Sequence, residues 1–214
     1  MTTFVIVSFG AKYTKFKDAL VNSIEVNMPG SNIKVIKLPE LNHTDFQVAN
    51  YLKLKHWRDN IEGNTVLIDA DTIVLSDISE VFEMDFDLIY TIRKHNKTIP
   101  FNSGVVFVKE SGRHIVETWA GLDDKMYKDK RLHMRWKRKY YGFNQASFGC
   151  MLETMPKLRI GKVEATIYNS CDKYDWSHNY NLAKVVHIKS ELRTSVECDL
   201  RKFREIESRI LKYY

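Results

Sequence analysis

Val66-Leu67-Ile68-Asp69-Ala70-Asp71-Thr72-Ile73-Val74-Leu75-Ser76-Asp77-Ile78 is a short apolar run that stops on closely spaced acids. Val66-Leu67-Ile68 lacks polar alternation, as a strand covered on both faces does, and Val105-Val106-Phe107-Val108 reads the same way. Working outward, apolar β-branched runs alternate with helical patterns. Phe4 to Val7 precedes a helix over Phe16 to Val26, Ile33 to Ile36 precedes one over Phe46 to Trp57, and Thr65 to Ile68 follows Gly63 and Asn64. This alternation predicts an α/β fold with a mostly parallel central sheet flanked by helices. Further strands are expected at Leu88 to Ile92, Gly104 to Val108 and Lys184 to Ile188, with helices near Gly112 to Trp119 and Asn144 to Thr154. In the tail from Leu200 to Tyr214, the spacing of Leu200, Phe203, Ile206, Ile210 and Tyr213 predicts an amphipathic helix packed on the core.

With 214 residues, 44% of them hydrophobic, and only 9 Gly and 4 Pro, the chain suits one globular domain over 1–214. It carries no repeat and no Pro/Gly/Ser-rich linker. No apolar stretch reaches the ~20 residues a membrane helix needs, and Met1 runs directly into the strand-like Thr3-Phe4-Val5-Ile6-Val7, so a cytoplasmic location is expected. Cys150, Cys171 and Cys198 are odd in number and widely spaced, which fits a reducing compartment better than a disulfide framework. A formal charge of +6 favours polyanionic partners: nucleic acid, anionic glycan or a membrane surface.

Asp69 and Asp71 leave the strand with one residue between them, and in extended chain such side chains project to one side. They could share a hard divalent cation at the carboxyl end of a strand, where open α/β sheets bind ligands. A bare Asp-x-Asp is also an ordinary turn satisfied by backbone donors. His187, after Val185-Val186, reads by itself more readily as a hydrogen-bonded core histidine than as a metal ligand.

The order of segments resembles the family 8 glycosyltransferases, the glycogenin-like enzymes of GT-A fold, over nearly the whole chain. Leu54-Lys55-His56-Trp57 precedes Asp69 by the family's interval, and the run from Val66 to Ile78 is similar to its metal-binding strand and turn. Phe101-Asn102-Ser103-Gly104-Val105 looks like its sugar-facing turn, and Ala183-Lys184-Val185-Val186-His187 like the late strand ending in its histidine ligand. The resemblance implies a GT-A (Rossmann-like) fold and a nucleoside-diphosphate sugar donor, with UDP as the nucleotide. It implies a metal held by Asp69, Asp71 and His187. Mn²⁺ is expected, with Mg²⁺ as the alternative, because a nitrogen beside two carboxylates suits Mn²⁺ better.

By the same likeness, Tyr13 would stack on the base after a strand ending at Ser8-Phe9, and Ala70 would lie against the donor between the two acids. Lys53, Ser190 and Arg193 would contact the diphosphate, and Asn102, Asn144 and Gln145 the sugar. The family retains anomeric configuration, which implies attack on the face from which the diphosphate leaves.

Two departures stand out. Gly142-Phe143-Asn144-Gln145 carries an amide where the family usually has an acid, and 124–141 is a strongly basic stretch expected to border the acceptor side. Its Lys125, Lys128, Lys130, Arg131, Arg135, Lys137, Arg138 and Lys139 alternate with Tyr127, Trp136, Tyr140 and Tyr141. That pattern fits a nucleic acid or anionic glycan acceptor, or simply a solvated face. The rival readings are a nucleotidyltransferase on a similar sheet and a non-catalytic nucleic-acid-binding domain on a transferase scaffold.

Overall fold

The computed structural model describes residues 1–40, 46–94, 99–189, 192–193 and 204–214. In chain order the elements begin with β1 (Thr2–Phe9), α1 (Thr14–Asn27), β2 (Asn32–Leu38), α2 (Phe46–Asp59), β3 (Asn64–Asp69), β4 (Thr72–Val74), β5 (Leu88–Ile92) and β6 (Phe101–Val108). They continue with α3 (Arg113–Lys128), α4 (Lys130–Tyr140), α5 (Asn144–Thr154), β7 (Ile160–Glu164), α6 (Ala165–Tyr168), α7 (Lys173–His178), β8 (Val185–His187) and α8 (Arg204–Leu211).

The main sheet has six strands in the order β2-β1-β3-β6-β5-β7. β1 pairs in parallel with both β2 and β3, whereas β6 runs antiparallel between β3 and β5. The sheet is therefore mostly parallel, with helices on both faces. Consecutive apolar residues in β1 serve the two faces in turn. Phe4 and Ile6 pack with Leu20 and Ile24 of α1, and Val5 and Val7 with Leu54 and Trp57 of α2, Trp119 of α3 and Phe148 of α5. The chain leaves β1 for β2 on one side and returns to β3 on the other, so the carboxyl ends of β1 and β3 flank a topological switch point.

A second, two-stranded sheet pairs β4 antiparallel with β8. α8 covers it: Ile206, Ile210 and Tyr213 share an apolar cluster with Phe16, Ile73, Trp176 and Val186. Ile206 and Ile210 are fully buried, each contributing about 1.5–3 kcal/mol by leaving water. The tail does pack on the body of the protein as its spacing predicts, although Leu200, Phe203 and Cys198 lie outside the described residues. Cys150 and Cys171 are free and buried.

Several boundaries move. The helix expected over Gly112 to Trp119 runs on to Lys128, and the basic stretch 124–141 is the end of α3 followed by α4. Asp129 caps α4, accepting from the backbone N–H groups of Arg131 (2.9 Å) and Leu132 (3.1 Å). Phe101 to Val105 is not a turn. β6 begins at Phe101 and is buried throughout: strands flank both its edges, and its alternate side chains enter the apolar clusters on the two faces of the sheet. Among the described residues no helix is long and apolar enough to cross a membrane.

Candidate active site

Asp69 is the last residue of β3, and Ala70 and Asp71 form a turn into β4. The two acids thus meet through a tight reversal, not through the two-residue period of an extended strand. β4 then pairs Thr72 with His187, and Ile188 N–H donates to Asp71 O at 2.7 Å. Asp69, Asp71 and His187 are brought together in this way, with one ligand atom of each lying within 4.8 Å of the others.

The outer atoms of this group are each engaged. Lys53 Nζ of α2 donates to Asp69 Oδ1 at 2.6 Å and sits 4.5 Å from the Trp57 ring centroid. Arg193 pairs with Asp71 Oδ2, donates through Nε to Ile188 O at 3.2 Å, and lies 5.5 Å from the rings of both Tyr13 and Phe16. His187 Nδ1 faces Asn169 Oδ1 at 3.0 Å. The remaining atoms face one another: His187 Nε2 is 3.1 Å from Asp71 Oδ1 and 3.7 Å from Asp69 Oδ2. Burial, with Lys189 nearby, lowers the His187 pKa against the pull of the two acids, which leaves the ring neutral near pH 7. Burial alone would raise the Asp71 carboxyl, but His187, Arg193 and Lys189 outweigh it and hold the group below the ordinary carboxylate range.

Gly104 makes this arrangement fit. A Cβ there would stand 2.5 Å from His187 Cε1, 2.7 Å from its Nδ1 and 2.8 Å from Asn102 Oδ1. Asn102 is buried with its polar ends turned inward. Its Oδ1 accepts from Gly104 N–H at 2.7 Å and its Nδ2 lies 3.9 Å from Cys171 Sγ.

Phe9 ends β1, and Tyr13 follows in the short helical turn Ala11–Tyr13, on the same rim as Asp69. Ala70 is buried in the core below that rim. Ser190 lies outside the described residues. Gln145 Nε2 donates to Phe101 O at 2.9 Å. Asn144 does not cap α5. It stands inside the first turn, where Nδ2 donates to Asn50 O at 3.0 Å and to Asp123 Oδ2 at 3.3 Å.

Two buried polar residues beside these groups escaped the sequence reading. Asn169 gave no local signal, since it sits between short elements. Asp123 did give one: it falls on the apolar stripe of α3 with Ile115, Val116, Trp119 and Met126. Ser147 Oγ donates to Asp123 Oδ1 at 2.6 Å, and Trp119 Nε1 donates to both Ser147 Oγ and Asn144 O at 3.0 Å. Asp123 thereby ties the start of α5 to α3.

Burial raises the Asp123 pKa to about 7 against the opposing effects of Ser147, Lys53 and Asn144. The folded state then holds this proton after the unfolded chain, titrating near the ordinary ~3.9, has released it. Stability from this group is present below about pH 4 and is lost as pH rises to 7. Between pH 5.5 and 8 wild type should lose about 2 kcal/mol more than Asp123→Asn. Urea unfolding at the two pH values measures the difference, and equal losses would show that Asp123 is ionised throughout.

No protein-family model matches the chain, and no curated protein sequence matches it. Solved structures do match its fold. The glycosyltransferase GlyE of Streptococcus pneumoniae TIGR4 superposes with a TM-score of 0.60 at 16% identity, covering 98% of this chain and 63% of that one. A glycosyltransferase involved in glycosylation of the major capsid of PBCV-1 gives 0.65 at 15% identity, covering 90% of this chain and 96% of that one. The galactosyltransferase LgtC, in complex with donor and acceptor sugar analogues, gives 0.61 at 12% identity, covering 97% and 96%. The fold is that of the GT-A glycosyltransferases. At these identities the likeness concerns the fold, and this chain spans under two thirds of the GlyE chain.

Proposed function

We propose that the chain is a metal-dependent, retaining glycosyltransferase that moves a hexose or pentose from a nucleoside-diphosphate sugar, with UDP the expected nucleotide, to an anionic acceptor. The observation that carries this reading is the set of atoms turned toward one another at the switch point: Asp69 Oδ2, Asp71 Oδ1 and His187 Nε2. With the His187 proton on Nδ1, where Asn169 Oδ1 accepts it, the electron pairs turned inward repel unless a cation lies among them. Two carboxylates and a neutral imidazole fit Mn²⁺, with Mg²⁺ the alternative. Such an ion, when bound, supplies the positive charge that offsets the developing charge of a leaving diphosphate.

The protein's own groups act around that point. Lys53 and Arg193 bring fixed positive charge to the rim where the diphosphate would lie, Arg193 exchanging Asp71 for phosphate. Phe9, the last residue of β1, and Tyr13 just beyond it would receive the base, with Ala70 beneath. Gln145 and the backbone near Asn102 and Asn144 would border the sugar. Asn144 is an amide, and the neighbouring Asp123 carboxylate is buried and bonded to Ser147. Front-face transfer suits such a site. The acceptor oxygen bonds to the anomeric carbon as the bond to phosphate breaks on the same face, and the departing phosphate oxygen takes the acceptor's proton. Orientation and charge are then what the protein contributes. Incubation with Mn²⁺ and a panel of nucleotide sugars, with free UDP measured, tests the reading. Metal-dependent UDP release supports it; pyrophosphate release, or no release from any donor, overturns it.

α4 supports an anionic acceptor. Lys130, Arg131, Arg135 and Arg138 are exposed and have no carboxylate partner among the described residues, while Lys139 bridges to Glu153. The helix leads into Gly142 and Asn144, so its charge borders the sugar side. An anionic glycan is the favoured acceptor, and a nucleic acid is an outcome of the same assay. Converting Arg131, Arg135 and Arg138 to Gln should raise KM for such an acceptor about tenfold, at 0.2–1 kcal/mol per exposed charge. Acceptor-independent UDP release should persist, and added salt should mimic the change. An unchanged KM would make α4 a solvated face.

A further inference from the structure

His187 can serve as a ligand through Nε2 only if its ring proton sits on Nδ1, and the packing around Asn169 dictates where that proton sits. The Asn169 amide is buried, and its Nδ2 donates to Thr91 Oγ1 at 2.9 Å, to Asn102 Oδ1 at 3.3 Å and to Asn102 O at 3.4 Å. Thr91 Oγ1 spends its own proton on Asn102 O at 2.9 Å. It is therefore an acceptor toward Asn169. A flipped amide would aim its oxygen at three acceptors and lose them all, so the NH₂ end is fixed toward Thr91 and the oxygen toward His187. An acceptor 3.0 Å from Nδ1 requires an N–H there.

The backbone holds both partners in register. Ser170 N–H donates to Val185 O at 2.9 Å, and His187 N–H donates to Ser170 O at 2.8 Å. The segment carrying Asn169 thus runs beside β8 on the side away from β4. Gly104, lacking a Cβ, leaves the ring room against β6.

We infer that Asn169 is a positioning residue that fixes the Nδ1–H tautomer of His187 and so keeps the Nε2 lone pair directed at the space shared with Asp69 and Asp71. The inference rests on the metal-binding reading, but its first readout needs no metal. A neutral imidazole free to choose would place its proton on Nε2, between two carboxylates, and the ligand would be lost. Asn169 opposes this by supplying the only orientation-locked acceptor on the other nitrogen among the described residues.

The experiment uses ¹⁵N-histidine spectra of the metal-free protein, with the His187 signals assigned by their loss in His187→Gln, together with calorimetric titration of Mn²⁺ alone. Wild type should show a protonated Nδ1 and a bare Nε2. Asn169→Leu, close in size, should shift the proton toward Nε2 and weaken Mn²⁺ about 10–100-fold, the usual cost of losing such a partner. Asn169→Asp keeps an acceptor for Nδ1, and the proton its buried carboxyl takes up serves the acceptors on Thr91 and Asn102, so the tautomer should be retained; loss of it there would overturn the inference even if the leucine variant failed to fold. Thr91→Val removes one acceptor of the Asn169 amide but leaves Asn102 O and Oδ1 to hold its orientation, so it should lower stability while leaving tautomer and Mn²⁺ affinity within a few-fold. An unchanged tautomer in Asn169→Leu would reduce Asn169 to a structural residue, as would an equal loss of Mn²⁺ affinity in Thr91→Val with the tautomer unchanged. Should wild type bind no Mn²⁺, the metal-binding reading fails, while the tautomer comparison still decides what Asn169 does.

Discussion

Asp71→Ala should lower sugar-transfer kcat/KM by about three orders of magnitude or more. Asp71 Oδ1 is one of the three atoms that face one another, and Oδ2 is the anchor of Arg193. The substitution removes a ligand and releases the arginine at once. Neutralisation of the leaving diphosphate by a bound ion is worth several kcal/mol, and every 1.4 kcal/mol is a factor of ten in rate. The Arg193 pair and the depressed carboxyl also stabilise the fold, so the urea midpoint should fall as well, and rates are compared where the variant remains folded. The measurements are UDP release at saturating and limiting Mn²⁺, with calorimetry of UDP binding in Mn²⁺ and in chelator. Equal UDP affinity with and without metal in wild type, or turnover within tenfold of wild type in the variant, would remove Asp71 from the proposed machinery.

Gly104→Ala should be nearly as damaging, though it adds only a methyl group at a residue that contacts no ligand directly. The new carbon would overlap the His187 ring and Asn102 Oδ1 at 2.5–2.8 Å. Neither neighbour is a flexible chain end: His187 is completely buried and Asn102 is held by Gly104 N–H and Asn169. Something must shift, and overpacking of this kind costs about 1–3 kcal/mol of stability. The ring is the part that can move, away from β6 and out of line with the two acids. Mn²⁺ affinity should therefore fall more than tenfold, accompanied by a lower urea midpoint. Gly121→Ala on α3, where an added carbon would meet nothing, serves as the control and should be close to neutral. If Gly104→Ala binds Mn²⁺ as wild type does, His187 is not the third ligand.

These tests converge on a site that was legible in part from the chain. Val66-Leu67-Ile68 and Val105 to Val108 reveal buried strands because their apolar runs are local and continuous, and Asn144–Thr154 and Leu88–Ile92 have the bounds their patterns predict. Asp69 and Asp71 have only Ala70 between them, so their association needs only a turn. By sequence alone, then, the alternation of strands and helices, the acid pair at a strand end, the basic run of α4 and the amphipathic tail were determined. All of these depend on neighbours within a few residues.

Tertiary structure decided the rest. His187 meets Asp71 across 116 positions because β8, expected within Lys184 to Ile188, pairs with β4, a three-residue strand whose pairing no local periodicity announces. Asn169 carries no local signal until the segment after α6 packs beside β8, and Asp123, though it falls on the apolar stripe of α3, gains its partners only when α3 packs on α5. The antiparallel insertion of β6 extends the strand expected from Gly104 back to Phe101, where a turn was expected, and sends Asn102 inward. Burial and long-range hydrogen bonds set the protonation of Asp123 and His187. Those interactions exist only once distant segments have displaced the water between them, and no local pattern of residue types encodes that event.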